Sequence, residues 1–280
     1  MKRFGMVICL LVAVAGIGAQ RVVMLPAEGS NGITEAESTG SYGEIYNITQ
    51  PRIDLYLPSG GGRPATTLLV CPGGAYQYVS VQNEGKYVAD WALQHGMAVA
   101  VLKYRLPNGH DYIPLSDAMA AMRMLRDSAD VWNLDAGRIG VMGFSAGGHL
   151  AGSLLTKYAD SRTRPDFGVL VYPVLSMEAD THLKTRRLLL GDSFGERQKA
   201  EWTLRNGVGR QVSPCFVVAC QDDKGVPVSN SIDFYTALTK AGVSAELLVM
   251  PKGGHGFGFM REIPQAALFH QLLLQWINEL

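Results

Sequence analysis

From Ile53 onward the chain alternates between two hydrophobic rhythms. Short runs that are continuously apolar, or apolar at every second position, occur at Ile53–Leu57, Thr67–Cys71, Ala98–Tyr104, Ile139–Gly143, Gly168–Val171, Phe216–Ala219 and Ala245–Met250. Each has the length and pattern of a strand. Between them lie longer stretches, Gly85–Gln94, Ser116–Asp130, Ala146–Tyr158, Val228–Ala241 and Pro264–Glu279, with the three-to-four spacing of an amphipathic helix. In one of these, Met119, Met122 and Leu125 follow Ser116 on one face, which predicts Ser116 as the helix cap. Repeated strand–helix units predict an α/β fold with a mainly parallel central sheet and helices on both faces. The main insertion, Tyr172 to Pro214, is charged and helix-like, which predicts a small cap and no long apolar lid. A Gly/Ser/Glu-rich stretch from Glu28 to Gly43 reads as a connection. With 280 residues the chain can bury a core that needs no staples, and residues 20–280 read as a single domain.

The first nineteen residues follow another pattern. Lys2 and Arg3 precede the apolar run Phe4 to Ile17, and Gly16, Gly18 and Ala19 lead into Gln20. That is the layout of a secretory signal peptide, with cleavage expected after Ala19 or Ala15. The run is shorter than a membrane span, so no stable membrane insertion is expected after cleavage. Cys9 lacks the preceding small residues of a lipidation site. The expectation is an exported protein, periplasmic or secreted. It would keep Cys71, Cys215 and Cys220, an odd number with no disulfide framework, read as small buried hydrophobes. The formal net charge is zero and no basic stripe is present, which argues against nucleic acid as a partner.

Chemistry enters at "VMGFSAGGHLAG", Val141 to Gly152. "RIGVMG" reads as a buried strand and "AGGHLAGSLL" as a helix, so Ser145 falls on the turn between them, within a G-x-S-x-G pattern. A reversal that tight strains the serine backbone and leaves no room for large neighbours, which accounts for Gly143, Ala146, Gly147 and Gly148. A serine hydroxyl needs a base to take its proton and a third group to orient that base. On such a fold they follow in the order serine, acid, histidine, on loops after later strands. "FVVACQDDKGVP" offers Asp222 and Asp223, and "LLVMPKGGHGFG" offers His255. Asp223 is closer to the next helix, while Asp222 could cap the turn or pair with Lys224. His95, His110, His182 and His270 read as structural or surface residues, and His149, on the helix after the serine, as a packing residue. "LLVCPGGAYQY" places Gly73 and Gly74 after an early strand. Their loop reads either as a plain Pro-Gly turn or, beside the Ala146 N–H, as a cradle for a developing oxyanion.

Together "CPGGAY", "GFSAGGHLAG", "QDDKGVPVSNSIDFYTAL" and "GGHGFG", in that order, resemble the α/β-hydrolase fold. More narrowly they are similar to its secreted bacterial acetyl-xylan-esterase-like carbohydrate esterases, as are the stretches Glu84 to Leu106 and Tyr172 to Gly191. The resemblance runs from about Ile53 to the C-terminus. It implies Ser145 as nucleophile, Asp223 as acid, His255 as base, and Gly74, Ala75 and Ala146 as oxyanion donors. Pro72 stands where a histidine is usual and Ala75 where a third glycine is common, both as in the xylan-esterase-like relatives. The implied chemistry is acyl transfer without metal or organic cofactor. The implied substrate is an acylated carbohydrate such as acetylated xylan. Tyr76 and Tyr78, which follow the glycine loop, read either as aromatic faces for sugar rings or as packing residues. Other readings are a serine peptidase or general carboxylesterase on the same fold, or a non-catalytic sugar-binding protein. No insertion that would anchor a peptide amine is visible. Oligomeric state is not legible in the chain.

Overall fold

The computed structural model describes residues 20–59, 62–260 and 264–280; the expected leader, residues 1–19, lies outside them. The chain opens with β1 (Gln20–Met24), followed by the short β2 (Ser38–Thr39) and β3 (Glu44–Tyr46). Next come β4 (Arg52–Tyr56), β5 (Ala65–Cys71) and the two-residue β6 (Val79–Ser80). A π-helical turn, Gln82–Lys86, leads into α1 (Tyr87–Gln94) and β7 (Ala98–Lys103). After α2 (Ile113–Asp127) and the single-turn α3 (Ala129–Trp132), β8 (Leu134–Phe144) runs directly into α4 (Ser145–Lys157). Beyond β9 (Gly168–Val171) the insertion forms α5 (Leu183–Leu190), α6 (Glu196–Glu201) and a 3₁₀ turn at Leu204–Gly207. The chain then completes β10 (Cys215–Cys220), α7 (Ser229–Lys240), β11 (Ala245–Met250) and α8 (Pro264–Glu279).

Eight strands form the central sheet in the order β1-β4-β7-β5-β8-β9-β10-β11. All neighbours from β7 to β11 are parallel, while β4 pairs antiparallel with β7 and β1 antiparallel with β4. Strand side chains alternate between faces, and both faces are covered. In β5, Leu68 and Val70 pack with Val88 and Ala92 of α1 and with Phe269 and Leu273 of α8. Leu69 and Cys71 point the other way, into a core with Leu115 and Met122 of α2, Leu150 and Leu154 of α4 and Phe234 of α7. Burial on both faces explains why these strands read as unbroken apolar runs.

Three details differ from the pattern reading. Helix α2 starts at Ile113 with Pro114 in its first turn, where a fixed φ and a missing N–H cost nothing. Ser116 therefore lies inside the helix and is not its cap; its hydroxyl donates to the Ile113 carbonyl at 2.8 Å. The expected helix at Gly85 begins earlier, as the π-helical turn. Finally β1, and the small sheet β2-β3-β6 within and beyond the supposed connection, are too short or too polar for periodicity to mark them. Cys71, Cys215 and Cys220 are free and buried, the last two at opposite ends of β10. Among the described residues no helix is long and apolar enough to cross a membrane.

Candidate active site

The carboxyl ends of β8, β10 and β11 meet at one rim of the sheet, where loops of an open α/β sheet bring functional groups together. At the end of β8, Phe144 is extended (φ −118°, ψ 131°) and Ser145 switches to φ 52°, the left-handed region that a serine rarely occupies. The reversal sends the chain into α4 at once. Ser145 and the whole first turn of that helix are buried.

Asp223 and His255 arrive on the loops after β10 and β11. The Ser145 hydroxyl lies 2.9 Å from His255 Nε2 and donates to it. His255 Nδ1 lies 2.7 Å from Asp223 Oδ2, the N–H donating. The Asp223 side chain is 1% exposed and that of His255 31%, so the carboxylate sits under the ring and the ring faces the cleft. Asp223 Oδ1 accepts the backbone N–H groups of Gly225 and Val226, both at 2.8 Å, which fixes the carboxylate within its own turn. Burial by itself would raise this carboxyl, but the hydrogen bonds from His255, Val226 and Gly225 outweigh it and leave Asp223 below its ordinary value. The adjacent Asp222 neither caps that turn nor pairs with Lys224. Its Oδ1 accepts the Gly254 N–H at 2.8 Å and so braces the loop that carries His255. Such a relay can draw a proton from a serine and hold the resulting imidazolium.

Gly74 and Ala75 border the same cleft as Ser145 and His255. Their loop is tightly wound: the Gly74 carbonyl accepts the N–H groups of Gln77 (2.9 Å) and Tyr78 (3.2 Å), and Ala75 holds φ 56°. Gly74, at φ 128°, could not carry a side chain, since a β-carbon would stand 2.8 Å from the Tyr78 carbonyl carbon. Ala146 lies in the first turn of α4, where N–H groups have no intrahelical acceptor and the helix end favours negative charge.

The two expected sugar-stacking rings part company. Tyr78 lines the cleft and packs 5.3 Å from Tyr46. Tyr76 does not reach it: with φ 60° its ring turns inward to 2% exposure, edge-on to Tyr104. Its hydroxyl lies 3.0 Å from His149 Nδ1, whose other nitrogen lies 3.0 Å from the Trp202 carbonyl. That carbonyl can only accept, so Nε2 carries the hydrogen and Nδ1 receives the Tyr76 hydroxyl. Tyr76 and His149 are thus a satisfied core pair.

The cleft has a volume of about 410 Å³. Beside the residues already named, its walls carry Gln77, Ser80 and Asn83 from one side and His182 and Lys184 from the insertion. The insertion therefore forms one wall of the cleft. His182, which pattern reading treated as an ordinary residue, caps α5 by accepting the Thr185 N–H. Burial, then the nearby His255 and Lys184, lower its pKa.

This fold and site define an α/β hydrolase. A family profile described as alpha/beta hydrolase fold matches residues 68–259, and the chain belongs to that family. It is 39% identical over 193 residues to an acetylxylan esterase of Xylanibacter ruminicola, covering 67% of this chain and 40% of that protein. It is 34% identical over 205 residues to endo-1,4-beta-xylanase B of Butyrivibrio fibrisolvens, covering 68% of this chain and 32% of that protein. The chain thus spans less than half the length of either relative. Among solved structures it is similar to an acetyl ester-xyloside bifunctional hydrolase from Caldicellulosiruptor lactoaceticus, at 32% identity and a TM-score of 0.78, covering 91% of this chain and 95% of that one.

Proposed function

We propose that the protein is a serine carboxylesterase that removes acetyl groups from acetylated xylan or its fragments. The observation that carries this reading is the unbroken hydrogen-bonded line from Ser145 through His255 to Asp223, opening on a cleft with polar walls. In the reaction His255 takes the Ser145 proton as the hydroxyl attacks the ester carbonyl. Asp223 stabilises the imidazolium, and the N–H groups of Gly74, Ala75 and Ala146 receive the oxyanion. His255 then gives that proton to the departing sugar oxygen, which leaves as a hydroxyl, and a water activated by the same base releases acetate. The acetylxylan esterase and the acetyl ester-xyloside hydrolase to which the chain is similar support the substrate class. Tyr78 at the rim supplies an aromatic face for a sugar ring. The leader-like residues Lys2 to Ala19 support action outside the cytoplasm.

The test is acetate release from acetylated xylan, mannan and pectin fragments by the wild type and by Ser145→Ala. The reading expects release fastest from xylan and abolished in the variant. Equal release by both proteins, or none from any of the three, overturns it.

A further inference from the structure

Glu84 is a buried carboxylate between the loops that carry the site, with 8% exposure. It lies in the π-helical turn Gln82–Lys86, where the Lys86 N–H reaches back to the Val81 carbonyl at 2.7 Å. Such one-residue-wider turns are rare and concentrate at functional sites. Glu84 Oε2 accepts the Gly73 N–H at 2.6 Å, immediately before Gly74 and Ala75. The Gly73 carbonyl accepts the Ser80 N–H at 3.0 Å, so Gly73 is held on both sides. Glu84 Oε1 accepts the Tyr172 hydroxyl at 2.8 Å, across 88 residues of sequence. The Tyr172 ring in turn packs 4.8 Å from that of His255 and 4.8 Å from that of Phe257, both on the loop after β11. Its φ of 37° is one that a tyrosine adopts only when surrounding structure imposes it.

This arrangement is a costly way to fill space. Both hydrogen-bond partners of the carboxylate are neutral groups, and burying a carboxylate is unfavourable unless its bonds compensate. Burial pushes the Glu84 carboxyl up from its ordinary value, while the Tyr172 and Gly73 hydrogen bonds pull it back. An apolar side chain would pack the same volume without that burden, but it could not tether two loops at once.

We propose that Glu84 is a positioning residue that ties the oxyanion loop at Gly73 to the His255 loop through Tyr172, setting both relative to Ser145. The proposal rests on the esterase reading above, because it concerns the alignment of that reaction. A displacement of about 1 Å in such groups costs roughly 100-fold in rate.

The experiment measures kcat and KM for p-nitrophenyl acetate in wild type, Glu84→Gln, Tyr172→Phe, the double variant and Ser145→Ala. Competent sites are counted by the nitrophenolate burst from an alkyl p-nitrophenyl phosphonate, so misfolded protein does not contribute. Glu84→Gln should lower kcat per counted site by roughly 10- to 100-fold with KM changed far less. Tyr172→Phe keeps the ring against His255 and should lose less. The double variant should lose no more than Glu84→Gln, because the two residues act as one unit. A wild-type kcat per counted site in Glu84→Gln, or losses that multiply in the double variant, overturns the proposal while leaving the esterase intact. Wild-type activity in Ser145→Ala is a separate outcome: it refutes the nucleophile assignment and takes this inference with it.

Discussion

Gly147 packs directly against Pro72: a β-carbon on it would stand 2.6 Å from the Pro72 carbonyl carbon and closer still to the carbonyl oxygens of Cys71 and Pro72. Helix α4 thereby lies against the start of the loop that carries Gly73 to Ala75, and backbone meets backbone with no side chain to yield. Gly147→Ala should destabilise the fold at or beyond the upper end of the ~1–3 kcal/mol typical of overpacking. Gly137→Ala is the control, since its β-carbon would meet only the Asp135 side chain, at 3.4 Å. Urea denaturation of both compares them; equal stabilities would refute the close approach.

Ser145→Ala should fold as the wild type does, because alanine suits the same tight reversal and only the hydroxyl is lost. Its turnover of p-nitrophenyl acetate should fall below about one hundredth of wild type, as losing a triad member costs several powers of ten. Circular dichroism and steady-state rates on one preparation check both halves.

Asp222 and Asp223 are neighbours with different partners, Gly254 N–H and the His255 ring. Asp223→Asn removes the charge that offsets the imidazolium and disturbs the ring tautomer, so kcat should fall by roughly 10⁴-fold. Asp222→Asn still offers an oxygen to Gly254 and should stay within about tenfold of wild type, the range of a single hydrogen bond. The reverse ranking in kcat would refute the assignment of the acid.

His149 gives the fold a pH dependence whose sign follows from burial, which, with a smaller contribution from Lys157, holds it at about 4 against an ordinary 6.5. Above 6.5 the ring is neutral in folded and unfolded chains, and its contribution is fully present. Between 6.5 and 4 only the unfolded chain binds the proton, so stability falls by about 1.4 kcal/mol per pH unit. His149→Gln lacks this titration. The stability advantage of wild type over that variant should therefore shrink by about 1.6 kcal/mol between pH 6.5 and pH 5. Denaturant titrations at both pH values measure it, and a constant difference would show that His149 does not titrate this way.

Acyl-chain length should count against the substrate here. Each methylene gains about 0.8 kcal/mol only where an apolar wall receives it. Gln77, Ser80, Asn83, His182 and Lys184 supply no such wall. kcat/KM for p-nitrophenyl esters should fall from acetate to butyrate to octanoate. A preference for octanoate would instead indicate a general or lipid-directed carboxylesterase.

What the sequence determined by itself was whatever depends on local pattern and chain order. Strands buried on both faces have to be continuously apolar, so β5, β7, β9 and β10 were legible almost to their ends, while the part-exposed edge strand β11 was legible from its apolar run alone. A strand that turns into a helix at one residue has to be flanked by residues with little or no side chain, so the position of Ser145 was legible too. Direction in space was not. Asp222 and Asp223 differ by one position on a turn, and only the fold shows which carboxylate meets His255. Tyr76 and Tyr78 look equivalent in sequence, yet the left-handed backbone at Ala75 and Tyr76 sends the first ring into the core and leaves the second at the cleft. Glu84 opens one of the stretches that resemble the family, but its polar setting "QNEGK" assigns it no role of its own. Its burial depends on a π-helical turn and on partners 11 and 88 residues away, contacts that no local pattern encodes and that only the closed tertiary structure brings into being.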